Sequence, residues 1–242
     1  MSMLWHWLAT PLSGSTMHGV EPWLYWHARW MVLAWGILLP LGALVARYFK
    51  VLPTQNWPTN LDNTGWWHAH RSLQWLGMGL AILGLYFVWD REVGTAGLAK
   101  WHGWAGWMLL GMGGLQVLGG LLRGSKGGPT SLQLRGDHYD MTTYRVWFER
   151  IHKGMGWMSV FLAIVVIGLG MLLADVPRWM PMVMVIWWAG LLALAWRWQK
   201  KGRCIDTYQA IWGPDPRHPG NHVPPIGWGI RRPLNTQHHG KP

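Results

Sequence analysis

The sequence predicts an all-α polytopic membrane helix bundle, a four-helix core with a fifth transmembrane helix. Three observations carry this. Half of the 242 residues are hydrophobic, only 13% are charged and 23 are tryptophan, a balance foreign to soluble domains of this length. Five stretches, 22–46, 67–89, 101–122, 151–174 and 178–198, are apolar over the roughly 20 residues that crossing a bilayer requires. Many tryptophans stand at their ends (Trp23, Trp26, Trp66, Trp67, Trp89, Trp101, Trp179, Trp196, Trp198), as in an interfacial aromatic belt.

The elements follow in order. Residues 1–21 open MSMLWHWLATPLSG and lack the basic start of a cleavable signal, so they are expected to form an external segment, with span A as an uncleaved insertion signal. Residues 22–198 are expected to form the transmembrane domain, spans A to E. Between A and B, VLPTQNWPTNLDNTG is rich in Pro, Asn and Thr and predicts irregular structure. The C–D connection, Arg123 to about Arg145, is the longest internal one and opens RGSKGGPTS. Residues 199–242 are rich in Pro, Gly and His without a helical or strand period. They predict an irregular, solvated cytoplasmic tail, or an arm that docks onto a larger membrane complex. No GxGxxG follows a strand and no P-loop is present, so electrons or substrates must come from separate molecules. Cys204, the single cysteine, excludes a disulfide framework, a CxxC zinc site and covalent CxxCH haem attachment.

The net charge of +11 is explained by topology. With five spans, the face holding the N-terminus receives only Arg29, Arg91, Lys100 and Arg178 of the 21 Lys and Arg residues. The opposite face holds the remainder. The positive-inside rule then makes that face cytoplasmic and the N-terminal face external or periplasmic, in a bacterial inner membrane if the host is bacterial. The partner is the lipid bilayer and not nucleic acid.

Four of the 12 histidines lie near the starts of successive spans: His27 in A, His70 in B, His102 in C and His152 in D. Spans alternate in direction, and in an up-down-up-down bundle A lies diagonal to C and B to D. Two pairs result, His27/His102 near the external face and His70/His152 near the cytoplasmic face. Each pair is placed to supply both axial ligands of a noncovalent b-type haem, two haems in all. Small residues follow at helical spacing: Gly77, Ala81 and Gly84 after His70; Ala105, Gly106, Gly113 and Gly120 after His102; Gly156, Ser159, Ala163 and Gly170 after His152. They leave room for a flat macrocycle and for close helix contact. His68, two residues from His70, points about 200° away on a helix and cannot face the same iron. The plainer alternative is a set of interhelical histidines satisfied by the bundle. A zinc or copper cluster fits poorly, because the pairs lie on opposite faces and no Cys or carboxylate accompanies them.

The stretches HARWMVLAWGILLPLGALVARY (27–48), WWHAHRSLQ (66–74), KWHGWAGWMLLGMGGLQVLGGLLR (100–123) and ERIHKGMGW (149–157) resemble the cytochrome b561 family, especially the ferric-reductase-type transmembrane domain that accompanies DOMON modules. The resemblance implies two b haems on His27, His70, His102 and His152. It also implies single-electron transfer across the membrane, from cytoplasmic ascorbate to an external acceptor such as ferric iron or monodehydroascorbate. His68 stands where related sequences often carry an aromatic residue, no DOMON module is present, and the tail is unusual. In a bacterial host, quinol or a partner protein replaces ascorbate as donor.

Arg71, Arg150 and Lys153 flank the cytoplasmic-side ligands, and Lys100 and Arg29 the external ones. Each reads as a snorkelling cation, or as a partner of haem propionates or an anionic donor. Gln74 and Gln116 read as interhelical hydrogen bonders. His18 reads as a surface residue or as a proton acceptor beside the external haem. The tail histidines at 218, 222, 238 and 239 read as solvated or as metal-binding. The expected function is a dihaem electron conduit, a transmembrane oxidoreductase or the cytochrome b subunit of a larger complex. The rival is a haem-free structural subunit of a membrane assembly.

Overall fold

A computed structural model describes residues 2–15, 21–91, 94, 96–123 and 142–234. His18, His238, His239 and most of the C–D connection lie outside the described residues. The helices are α1 (Met3–Ala9), α2 (Pro22–Met31), α3 (Leu39–Tyr48), α4 (Gly65–Tyr86), α5 (Gly97–Leu122), α6 (Thr143–Leu173), α7 (Trp179–Lys200) and α8 (Gln209–Trp212). A π-helical segment, Val32–Leu38, joins α2 to α3. Among the described residues there is no strand, and a 3-10 turn at Pro219–His222 and two isolated β-bridges accompany the helices. The protein is a helical membrane bundle. Pro22–Tyr48, Gly97–Leu122, Thr143–Leu173 and Trp179–Lys200 are each long and apolar enough to cross a membrane. α4 has comparable length, but His68, His70, Arg71, Ser72 and Gln74 make its first half polar.

The described residues fall into two compact units. The first (residues 1–41, 73–115 and 157–194) has an apolar core that includes Ala34, Trp35, Leu39, Met78, Ala81, Leu109, Ala163 and Ile167. Small residues set its helix contacts: a Cβ added at Gly77 would lie 2.8 Å from Leu39, and one at Gly113 2.7 Å from the Met78 sulfur. The π segment has a local cause. Pro40 has no N–H, so the Gly36 carbonyl four residues back loses its α-helical donor. The helix widens, with the Leu39 N–H bonding to Ala34, and the Trp187 indole donates to the Gly36 carbonyl at 2.9 Å.

Still in the first unit, α6 stops in a Schellman motif. Asp175 adopts φ 42°, Val176 N–H bonds to the Met171 carbonyl, and Asp175 N–H to that of Leu172. The Asp175 carboxylate also receives the Ser13 hydroxyl at 2.6 Å and the Ser13 N–H at 2.8 Å. Leu12 N–H bonds to the Val176 carbonyl, and Arg178 N–H to that of Thr10. The segment after α1 is therefore pinned against the α6–α7 turn.

The second unit (residues 42–72, 116–156 and 195–242) buries charge. Lys50, Arg145, Glu149, Asp206, Gln209 and Asn221 are all buried, beside Leu44, Tyr48, Cys204, Tyr208 and Ile211. α7 ends on Gly202, whose φ of 69° suits a glycine at this position. Arg203 N–H bonds back to Trp198, and Gly202 N–H to Gln199. Beyond this turn the chain is irregular, as expected, and residues 204–206 and 208–211 are largely buried. Residues 203–234 fold onto the unit as irregular chain with α8 and one 3-10 turn, Pro219–His222. Ile205 bridges to Arg231, Arg232 pairs with Asp206 at 3.1 Å, and the Gln209 amide donates to Asn221 at 2.9 Å and to the Pro233 carbonyl at 2.8 Å. His218 stacks on Trp212 with ring centroids 4.5 Å apart, and the His222 ring bonds to the Pro216 carbonyl.

α6 differs from the expected 151–174, beginning at Thr143. Its first turns carry Arg145 and Glu149, charges that interrupt an apolar run. Both side chains are buried and form an i, i+4 ion pair at 3.6 Å. His152 consequently lies more than two turns into its helix, whereas His27, His70 and His102 stand near the starts of theirs.

Candidate haem-binding sites

In the first unit, His27 on α2 and His102 on α5 face each other with ring centroids 6.2 Å apart and planes at 76°. The His27 Nδ1 lies 2.9 Å from the Gly84 carbonyl and the His102 Nδ1 3.1 Å from the Val166 carbonyl. A carbonyl only accepts, so each Nδ1 carries the hydrogen and each Nε2 keeps its lone pair. α6 seats His102 twice, through the Val166 carbonyl and through Gly170. A Cβ at Gly170 would lie 3.1 Å from the imidazole. In the sequence Gly170 falls on the face that follows His152; in the structure it belongs to the other pair. Gly170→Val is expected to tilt His102 and weaken haem binding at this pair, read as a fall in pyridine haemochrome content.

In the second unit, His70 on α4 and His152 on α6 have ring centroids 6.4 Å apart and planes at 79°. The His70 Nδ1 lies 2.9 Å from the Gly42 carbonyl. The His152 ring stacks on Phe148 at 5.2 Å, and its backbone carbonyl accepts from the Gln116 amide at 2.8 Å. Gln74 donates to the Leu39 carbonyl at 3.0 Å in the first unit. His68 is exposed while His70 is half-buried, as opposite helical directions require.

The flanking cations are spread differently. Arg71, Lys100 and Arg29 are exposed, and Arg29 lies over the Trp26 ring at 5.3 Å. Arg150 is exposed over Trp147. Lys153 pairs with Glu149 at 2.5 Å and donates to the Ile226 carbonyl. Sequence reasoning missed the residues that crowd the second pair. The Arg123 guanidinium sits 3.6 Å from the Trp67 ring centroid, and its backbone carbonyl accepts from Arg145. The Tyr208 hydroxyl accepts from Arg145 Nε at 2.7 Å and donates to Glu149 at 3.1 Å. Burial and the Glu149 charge push the Tyr208 hydroxyl up, so it stays protonated and keeps that bond. Burial, reinforced by the Lys153 charge, pushes Lys50 down to about 8; its ammonium donates to the Ile205 carbonyl at 3.2 Å. The one available sequence signal was the Arg145/Glu149 spacing, which reads equally well as a solvated helix face.

The ligand count decides what these pairs can hold. Among the described residues no three His, Cys, Asp or Glu side chains gather around a point, and a bare zinc site takes three or four protein ligands. Two imidazoles suffice when a macrocycle supplies the remaining donors. Metal–nitrogen bonds of about 2 Å on both sides of an iron put the two ring centroids about 6 Å apart. The residues present fit haem.

Fold and paired imidazoles have the form of a membrane b-type cytochrome. The family model for eukaryotic cytochrome b561 matches residues 26–177, and the chain belongs to the cytochrome b561 family. That family binds b-type haem and carries electrons across membranes. The chain is 30% identical over 152 residues to a cytochrome b561, DM13 and DOMON domain-containing protein of Arabidopsis thaliana, covering 63% of this chain and 15% of that protein. It is also 30% identical over 140 residues to a cytochrome b561 and DOMON domain-containing protein of the same plant, covering 57% of this chain and 31% of that one. It thus spans less than a third of either relative. No solved structure matches.

Proposed function

We propose that the chain holds two b haems, one on His27/His102 and one on His70/His152, and passes single electrons across the membrane. The donor is an ascorbate-like reductant or a quinol on the cytoplasmic side, and the acceptor is ferric iron or a partner protein outside. The observation that supports this most strongly is the repeated geometry, two facing imidazole pairs at 6.2 and 6.4 Å on helices of a bundle. His27 with His102, and His70 with His152, would each hold a haem that would supply reversible one-electron chemistry. The protein's part is to orient. The Gly84, Gly42 and Val166 carbonyls fix three imidazole tautomers, and such backbone bonds also raise ligand basicity. Arg71, Arg150 and Lys153 are proposed to meet an anionic donor or propionates on the cytoplasmic side, and Lys100 and Arg29 to do so outside. The excess of Lys and Arg on the face that holds the C-terminus supports a cytoplasmic C-terminus and an external N-terminus. Residues 199–242 are proposed as a cytoplasmic segment that also offers a surface to a larger complex.

The pyridine haemochrome of purified protein is expected to report two haems per chain; one or none refutes the assignment. Vesicles with a trapped reductant and an external ferric acceptor test the direction. Ascorbate and a quinol, compared as trapped donors by stopped flow, identify the class.

A further inference from the structure

In the first unit, α7 and the N-terminal segment border an open groove of about 440 Å³, within the roughly 300–1,000 Å³ of small-molecule sites. Pro181, Met182, Val185 and Ile186 of α7 line it together with Trp7 and Leu12 of the N-terminal segment, and Arg178 is the one charged lining residue. We propose that this groove seats one anionic phospholipid, its phosphate at Arg178 and an acyl chain along α7.

Three observations point to this occupant. Val185 and Ile186 are 61% and 68% exposed on a helix long and apolar enough to cross a membrane, so the medium against them is hydrocarbon. Arg178 immediately precedes the first residue of α7, and Ile186 lies about 12 Å further along the axis at 1.5 Å per residue. The groove therefore runs inward from the end of the helix, cation first and apolar wall after, in the order of a lipid's headgroup and chain. The guanidinium is also available. Among the described residues no carboxylate forms a salt bridge with it. The guanidinium lies over the Trp7 ring at 5.0 Å, which orients the side chain without neutralising it. The pinning of residues 10–13 to 175–178 holds the Trp7–Leu12 lining in place, so the groove is built rather than incidental.

Native mass spectrometry of the full-length protein, released from bilayers of equal phosphatidylglycerol and phosphatidylcholine, tests this. One phosphatidylglycerol should be retained per chain with roughly fivefold preference, the scale of one basic residue meeting an anionic lipid. Arg178→Gln should abolish the preference and Arg178→Lys should keep it, with unchanged elution and helicity. Val185→Trp, which fills the groove, should reduce retention of both lipids. Equal retention of the two lipids by the unsubstituted protein, an undiminished preference in Arg178→Gln, or retention of a prenylquinone in place of lipid would each overturn the assignment. The readout is lipid mass, so it stands or falls independently of the haem assignment.

Discussion

Replacing His70 by alanine is expected to cut the haem content from two per chain to one and to bring transmembrane reduction in vesicles down to background. His68→Ala is expected to keep both haems and the activity. Only two residues separate the positions, yet they differ in what they touch. His70 is half-buried, bonded through Nδ1 to the Gly42 carbonyl and opposed by His152 at 6.4 Å. His68 is exposed on the other side of the same helix. His70 and His152 would together hold the haem of this unit, and among the described residues no third His, Cys, Asp or Glu gathers with them to replace His70. On the proposed two-haem reading, losing the His70/His152 haem removes one of the two carriers that the electron path needs. The measurement is haemochrome content with vesicle reduction rate at matched helicity. Equal haem loss in the two variants would sink the opposed-face reading.

Helices announce themselves by apolar length, and the long helices of this chain were legible to within a few residues at nearly every end. The α6 start was the exception. Arg145 and Glu149 look like the end of an apolar run, because nothing in their spacing distinguishes a charge buried with a partner from one facing water. The pairing of the histidine rings, His27 with His102 and His70 with His152, follows from alternating span direction in a diagonal bundle. Their immediate supports could not be read, since Gly84, Gly42 and Val166 contribute backbone carbonyls, and any residue has one. The small residues were legible as a feature and not in their use. Gly77 and Gly113 serve close helix contact and Gly170 seats an imidazole. The folded residues 203–234 were hidden for another reason. Their structure rests on side-chain to backbone bonds from Gln209, Asn221 and Arg232, which follow no period of 2 or 3.6.

Truncation after Lys201 is expected to lose the haem on His70/His152 and to keep the one on His27/His102. The sequence alone suggests the opposite, that an aperiodic tail is dispensable. In the structure, Tyr208 is 2% exposed and ties Arg145 to Glu149, and Glu149 in turn holds Lys153, the neighbour of His152. Deleting the segment removes the Tyr208 hydroxyl, the Ile205 carbonyl that receives Lys50, and the Ile226 carbonyl that receives Lys153. Each buried polar group left without its partner costs about 1–3 kcal/mol, and unpaired buried charges cost more, roughly 3–5 kcal/mol for a broken pair. The sum is comparable with the whole stability of a domain, on the order of 5–15 kcal/mol. The second unit should therefore loosen around His152, while the apolar core of the first, which takes no residue from beyond Leu194, persists. Tyr208→Phe separates the hydroxyl from the rest of the segment. It should keep both haems and lower the midpoint of thermal haem loss for the His70/His152 pair, because only one bridging group is gone. The checks are haem quantitation and the two midpoint potentials of each variant. A truncated protein that retains two haems with unchanged potentials would show that residues 203–234 cover the second unit without holding its ligand in place.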